Sequence, residues 1–316
     1  MDFILISVVV ALFVVLLILI VSYICFYMAF YNAEKNKTEK EEYSIPEGKV
    51  YAPYREQMIA WQKQIDEMPH DDVEVISFDG LKLRGKYYEL DKNAPIELMM
   101  HGYRGNSRRD LCGGVNRAFE VGHNVLLIDQ RASGKSEGNV ISFGINESKD
   151  ALTWLDYLQK RFGEDSKIIL TGVSMGASTV LMCIERGLPS CVKGILADCG
   201  YSSTKDIIKK VIREMHLPAN ILYTFVKLGA KIYGRFDLEE IIPVEAVKKS
   251  PVPIFFAHGD IDDFVPYYMS VDCYNACTSK KILVTIKGAG HGLCYPASPE
   301  EYVNKLSEFY SYLKDI

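Results

Sequence analysis

Residues 167–179 read KIILTGVSMGAST. Lys167, Ile168, Ile169, Leu170 and Thr171 form a short β-branched run, the pattern of a buried strand. Gly172-Val173-Ser174-Met175-Gly176 follows at once, and 177–186 is rich in helix formers. A strand, a sharp turn carrying a serine between two glycines, and then a helix together make a nucleophile elbow. The glycines have a physical reason. The turn forces Ser174 into a strained backbone, and a side chain at 172 or 176 would collide across it. The hydroxyl then stands clear of the sheet beside a helix N-terminus, which favours negative charge.

Outward from this stretch, strands alternate with helices. Residues 73–78 alternate as a half-buried strand, Asp79-Gly80 marks a hairpin turn, and 81–89 returns. The spacing then predicts strands at 96–100, 124–129, 194–197, 253–257 and 282–286. Helices are predicted at 107–121, 145–161, 268–277 and 299–313. One hairpin followed by β-α units implies an α/β fold, a mainly parallel sheet with helices on both faces. Chemistry in such sheets gathers at the carboxyl ends of the strands. Three further segments sit there: His101-Gly102-Tyr103-Arg104-Gly105, the acid cluster Asp260, Asp262 and Asp263, and Gly290-His291-Gly292. Their order, Ser, then Asp, then His, is the one an α/β-hydrolase imposes.

The motifs HGYRGN (101–106), DQRASGKSEG (129–138), GVSMG (172–176), HGDIDDFVP (258–266) and GAGHG (288–292) together resemble the α/β-hydrolase superfamily. Within it, the chain is similar to the serine aminopeptidase-like branch, which includes bacterial membrane-anchored members. The resemblance runs from about Val73 to the C-terminus. It implies Ser174 as nucleophile, Asp262 as acid and His291 as base. The family pattern H-G-x-x-D-x-x-V-P selects Asp262 over Asp260 and Asp263. Ser133 stands where relatives often carry His, a departure expected to touch loop packing. The backbone N–H groups of Tyr103 and Met175 are the expected oxyanion donors.

The remaining candidates take structural readings. His101 and His258 are expected to stabilise their loops, and His70, His123 and His216 to be surface or satisfied histidines. Asp129, Arg131 and Ser136 should tie down the loop after their strand. Asp198 and Cys199 should line the pocket region without reacting. Arg104 is expected to be structural, with an acidic substrate group as its alternative partner.

Composition bounds the rest. The 316 residues are 48% apolar and 24% charged, enough for one sizeable core, so disorder is excluded. The net charge of -5, with no long basic run, argues against nucleic acid. Residues 3–30 carry no charge and are almost wholly apolar, longer than the roughly 20 residues that cross a bilayer as a helix. A cleaved signal would want a basic start, a shorter run and a small-residue site, and none is present. The stretch reads as a transmembrane anchor, with Tyr23, Phe26, Tyr27 and Tyr31 as an interfacial belt. Lys35, Lys37 and Lys40 follow it, which puts the C-terminal side in the cytoplasm by the positive-inside rule. The seven cysteines beyond the span suit a reducing compartment, and no partner pair completes a metal site around Cys273 and Cys277.

The expected domain plan is an anchor at 3–30, a linker at 31–52, an amphipathic helix at 53–69 packed on the domain, and a hydrolase domain at 70–316. Residues 202–250 are too long for one crossover and read as a helical cap that shapes an apolar acyl pocket. The leading expectation is a membrane-anchored serine hydrolase cleaving carboxylic esters of a small-molecule or lipid-like acyl substrate, with no cofactor and no metal. An amidase or aminopeptidase and a thioesterase share the same triad. A tethered binding protein on a hydrolase scaffold is the non-enzymatic alternative.

Overall fold

The computed structural model describes residues 2–33, 35 and 42–313. Most charged residues of the expected linker, Glu34, Lys37, Glu39, Lys40 and Glu41 among them, lie outside the described residues.

Eight strands form one sheet: β1 (Asp71–Ile76), β2 (Lys82–Tyr88), β3 (Ile96–Met100), β4 (Asn124–Asp129), β5 (Ile168–Val173), β6 (Val192–Asp198), β7 (Ile254–Gly259) and β8 (Lys281–Ile286). Their spatial order is β1-β2-β4-β3-β5-β6-β7-β8. β1 pairs antiparallel with β2, and β2 with β4; all later pairings are parallel. This is the α/β-hydrolase fold that the sequence predicts. Every residue of β3 and of β7 is buried, as expected of strands covered on both faces. β1, at the edge, buries only Val73 and Val75. One core, with Trp154, Leu155 and Leu181, fills one face; a second, with Leu111, Val115, Leu306 and Phe309, fills the other.

Helices α1 (Asp2–Phe30), α2 (Arg55–Glu67), α3 (Ser107–Glu120), α4 (Ile145–Phe162), α5 (Met175–Arg186), α6 (Thr204–Glu214) and α7 (Ala219–Gly229) precede β7; a helix at Pro299–Tyr310 closes the chain. A 3-10 turn at Lys49–Tyr54 leads into α2, which buries Met58, Gln62 and Ile65 at helical spacing.

The apolar helix α1 has two parts. Residues 3–18 are exposed all round. From Leu19 onward one face is covered: Ser22, Phe26 and Phe30 are buried, and Leu19, Cys25 and Ala29 are half-buried. That spacing of three and four residues is one helical stripe. The stripe packs on α7 and on the π-helical turn Ala230–Gly234 that extends it. Gly229 permits the contact, since a Cβ there would run into the Ser22 carbonyl and Phe26. The Tyr233 hydroxyl donates to Leu19 O at 3.0 Å, and Phe30 meets Phe236 edge-on at 5.2 Å. Past the helix end, Ile141 N–H donates to Phe30 O and Asn32 N–H to Asn139 O, both at 2.8 Å. A helix of this length is roughly 43 Å long, and the exposed residues 3–18 account for only about 24 Å of it. Phe26, expected in an interfacial belt, is instead inside the protein.

Candidate active site

Ser174 occupies the turn between β5 and α5 with φ 57° and ψ -119°. Three neighbours hold it there. Its N–H donates to Asp198 O at 2.8 Å. A Cβ on Gly172 would fall within the backbone of Gly176, and one on Gly176 would meet the carbonyls of Met100 and His101. Both glycines are thus required by close approach, so α5 can press against β3. Ser174 itself is a non-glycine residue at positive φ, a strain of order 1–3 kcal/mol that the surroundings must hold.

His291 reaches this serine from the loop after β8. Its Nε2 lies 2.8 Å from Ser174 Oγ, and its Nδ1 lies 2.7 Å from Asp262 Oδ2. Asp262 comes from the loop after β7. The two loops are locked together, because a Cβ on Gly259 would strike Ala289. Asp262 Oδ1 accepts the N–H groups of Phe264 and Val265, each at 2.9 Å. Of its neighbours, the Asp260 carboxylate accepts Gly288 N–H at 2.6 Å, and the Asp263 backbone carbonyl accepts from Lys210 Nζ. Burial pushes the Asp262 carboxyl up, but hydrogen bonds from His258 and His291 outweigh it and hold the group well below the usual carboxylate range.

His258 is the partner that sequence reasoning missed. Its Nδ1 is 2.6 Å from Ser270 Oγ, while its Nε2 is 2.9 Å from Val265 O and 3.1 Å from Asp262 Oδ2. With Nδ1 accepting from the serine hydroxyl, Nε2 carries the proton that faces the carboxylate. The sequence signal for it was the first position of the H-G-x-x-D-x-x-V-P pattern, four residues before Asp262. His101 behaves as expected, bridging Gly102 O at 2.8 Å and Gln130 N–H at 3.0 Å. So does Asp129, which accepts from Ser107 and from Lys135 N–H. Arg131 lies between Asp150 and Asp79. His123 is buried against Glu97.

The loop 101–105 passes beside the serine: a Cβ on Gly102 would lie 3.4 Å from Ser174 Cβ. Gly105 N–H donates to Gly102 O at 3.2 Å, closing a turn around Tyr103 and Arg104. Arg104 has φ 53°, where glycine is the usual residue of such a turn. Met175, the other expected donor, is the first residue of α5, so its N–H has no acceptor within the helix.

A cleft of about 110 Å³ opens on Ser174 and His291; Pro46, Tyr51, Met58, Tyr103 and Phe264 are among its walls. None of these wall residues comes from 202–250. Pro46 and Tyr51 come instead from the segment expected to be linker, and Met58 from α2. Val50 packs against Gly290, where a Cβ would strike it. The cap touches the rim through Lys210, which lies 5.8 Å from the Phe264 ring. Behind the turn, buried Asp198 has one carboxylate oxygen without a partner, and burial raises its pKa. Cys199 is also buried, its thiol pushed well above the ordinary value. Its sulfur and the Asp262 and His291 ligand atoms lie within 4.8 Å of one another. The Asp262 oxygens already accept from Phe264, Val265 and His291, and the other His291 nitrogen is committed to Ser174.

This is an α/β-hydrolase by sheet order and by the turn that carries its serine. The chain belongs to the prolyl oligopeptidase family, whose sequence profile matches residues 142–315. Among curated relatives, uncharacterized protein YqkD of Bacillus subtilis is 25% identical over 238 residues, covering 75% of this chain and 77% of that one. Thiohydrolase aneE of Aspergillus aculeatus is 29% identical over 161 residues, 48% of this chain and 50% of that one. Among solved structures, the Pyrococcus furiosus esterase Pf2001 superposes with a TM-score of 0.63 at 21% identity, covering 88% of this chain and 98% of that one. At that identity the likeness concerns the fold alone.

Proposed function

We propose that the protein is a membrane-anchored serine hydrolase that cleaves carboxylic esters through an acyl-enzyme, in the serine aminopeptidase-like branch of its superfamily. The observation that carries this reading is the unbroken chain from Ser174 Oγ to His291 Nε2 (2.8 Å) and from His291 Nδ1 to Asp262 Oδ2 (2.7 Å). A serine hydroxyl is a weak nucleophile until a neighbour takes its proton. His291 Nε2 takes it as Oγ bonds to the ester carbonyl carbon, and the carbonyl oxygen becomes an oxyanion. The N–H groups of Tyr103 and Met175 stabilise that charge. As the intermediate collapses, the alcohol leaves with the proton from His291. His291 then takes a proton from water, which attacks the acyl carbon, and the acid is released with Ser174 restored. Asp262, kept ionised, fixes the imidazole tautomer and stabilises the imidazolium.

The small cleft suits a short acyl group, and the exposed residues 3–18 suit a bilayer, with the catalytic domain on the cytoplasmic side. The domain plan follows: a span near the N-terminus, then a segment that walls the cleft, then the hydrolase with its cap. Membership of a peptidase family favours amide cleavage as the second reading, and the thiohydrolase relative favours thioesters as a third.

A fluorophosphonate probe and a panel of p-nitrophenyl esters, a thioester and an aminoacyl anilide test this. Wild type should label and hydrolyse esters fastest. Ser174→Ala should abolish labelling and lower kcat by about 10⁶. Ester turnover unchanged in Ser174→Ala refutes the assignment.

A further inference from the structure

The end of the apolar helix is bonded directly to the loop that the proposed function uses for the oxyanion. The Tyr103 hydroxyl donates to Ala29 O at 2.8 Å. Arg104 Nη2 donates to Met28 O at 2.8 Å and to Tyr31 O at 3.1 Å. Those carbonyls belong to the last turn of α1 and the residue just past it, where helix acceptors have no intrahelical donor and the dipole favours a cation. The Arg104 guanidinium lies 5.0 Å from the Tyr103 ring, so the two side chains form one unit. The Tyr103 ring also packs against Phe143 at 4.9 Å, and Phe143 against Phe30 at 5.7 Å. Arg104 holds φ 53° where glycine would be unstrained, yet glycine could not reach α1.

We propose that the docked end of α1 positions the oxyanion loop, with the Tyr103 side chain and Arg104 as positioning residues. This rests on the reading of Tyr103 N–H as an oxyanion donor. The physical logic is a three-point tether. Gly102 O, the carbonyl of the Gly102–Tyr103 peptide, is bonded to His101 Nδ1 at 2.8 Å and accepts Gly105 N–H at 3.2 Å, which holds one side of the turn. The other side, at the two central residues, is held by the Tyr103 and Arg104 side chains, and those end on α1. The same helix end is clamped to the cap through Gly229 and Tyr233. The anchor is therefore part of the catalytic apparatus as well as a tether, and disturbing its seat is felt at Ser174.

The test uses the full-length chain in detergent micelles with p-nitrophenyl butyrate. The variants are Tyr103→Phe with Arg104→Gln, which keep the backbone donor, and Gly229→Val, which pushes α1 off α7 far from Ser174. Thermal melting reports folding, and a trifluoromethyl ketone serves as an oxyanion mimic. The paired variant should lower kcat by about tenfold or more with KM within about twofold, since small misplacements of a reacting group are costly. Affinity for the ketone should fall in step with kcat. Gly229→Val should reproduce both effects, and combining all three changes should be no worse than the stronger set, as expected for one shared path. A folded paired variant that keeps kcat within tenfold overturns the proposal. So does a lowered melting temperature with kcat per labelled serine unchanged. If the paired variant does not fold, Gly229→Val decides by the same criteria. Wild type without Ser174-dependent turnover removes the oxyanion reading itself and this proposal with it.

Discussion

His258 Nε2 stands 3.1 Å from Asp262 Oδ2, the same oxygen that accepts from His291. The carboxylate that orients one imidazole is thus oriented by a second. His258→Leu, which carries no donor, should lower kcat about tenfold at unchanged KM, because Asp262 gains freedom to turn. Steady-state kinetics of the folded variant checks this; unchanged kcat would leave His258 a loop staple only.

Glu97 is fully buried and meets Arg117 at 2.5 and 2.9 Å, His123 at 2.9 Å and Thr171 at 2.8 Å. Burial pushes its carboxyl up, yet the Arg117 charge and the His123 bond together hold it at about 2. A depressed carboxylate stabilises the fold above its unfolded pKa, and that stability is lost as pH falls through the folded value. The window therefore runs from roughly pH 4.3 down toward 2. Glu97→Gln should cost about 3–5 kcal/mol at neutral pH by stranding Arg117. Its unfolding free energy should also be flatter across that acid window, as denaturant titrations at several pH values would show.

Tyr51 and Met58 wall the small cleft from the N-terminal side. Tyr51→Ala should move the preferred p-nitrophenyl ester toward longer acyl chains. A chain-length series measured as kcat/KM checks it, and an unchanged preference would place the acyl group elsewhere.

Gly176 is where α5 meets the end of β3. Gly176→Ala should destabilise by about 1–3 kcal/mol or more, since the added methyl meets carbonyl oxygens that cannot yield. Thermal melting compared with Gly114→Ala, a position in α3 where a Cβ would make only ordinary contact with Met99, separates steric clash from general loss of glycine freedom.

The exposed apolar part of α1 should keep the protein in the membrane pellet through alkaline carbonate extraction, with the catalytic domain protease-sensitive only after the cytoplasmic face is opened. Release into the supernatant would argue for a processed segment instead.

Much of this was legible locally. The run 167–179 carries strand propensity, two glycines and a helix former in succession, so strand, turn and helix are fixed by neighbours in sequence. Strand-loop periodicity likewise put Asp262 and His291 at strand ends. The wall of the cleft was not legible, because 42–54 has no periodicity to say what it packs on. Nor was the covered face of α1: a stretch apolar on every side shows no face, and composition alone cannot tell which part of it packs on protein.

The residue order by itself determined the elements, the sheet class and which residue types could share chemistry, since propensity, turn geometry and burial pattern act over a few residues. Only the tertiary structure decided which oxygen of Asp262 two histidines share, and which carbonyls of α1 meet Tyr103 and Arg104. Those are distances between segments tens to hundreds of residues apart, set by packing that no local pattern encodes.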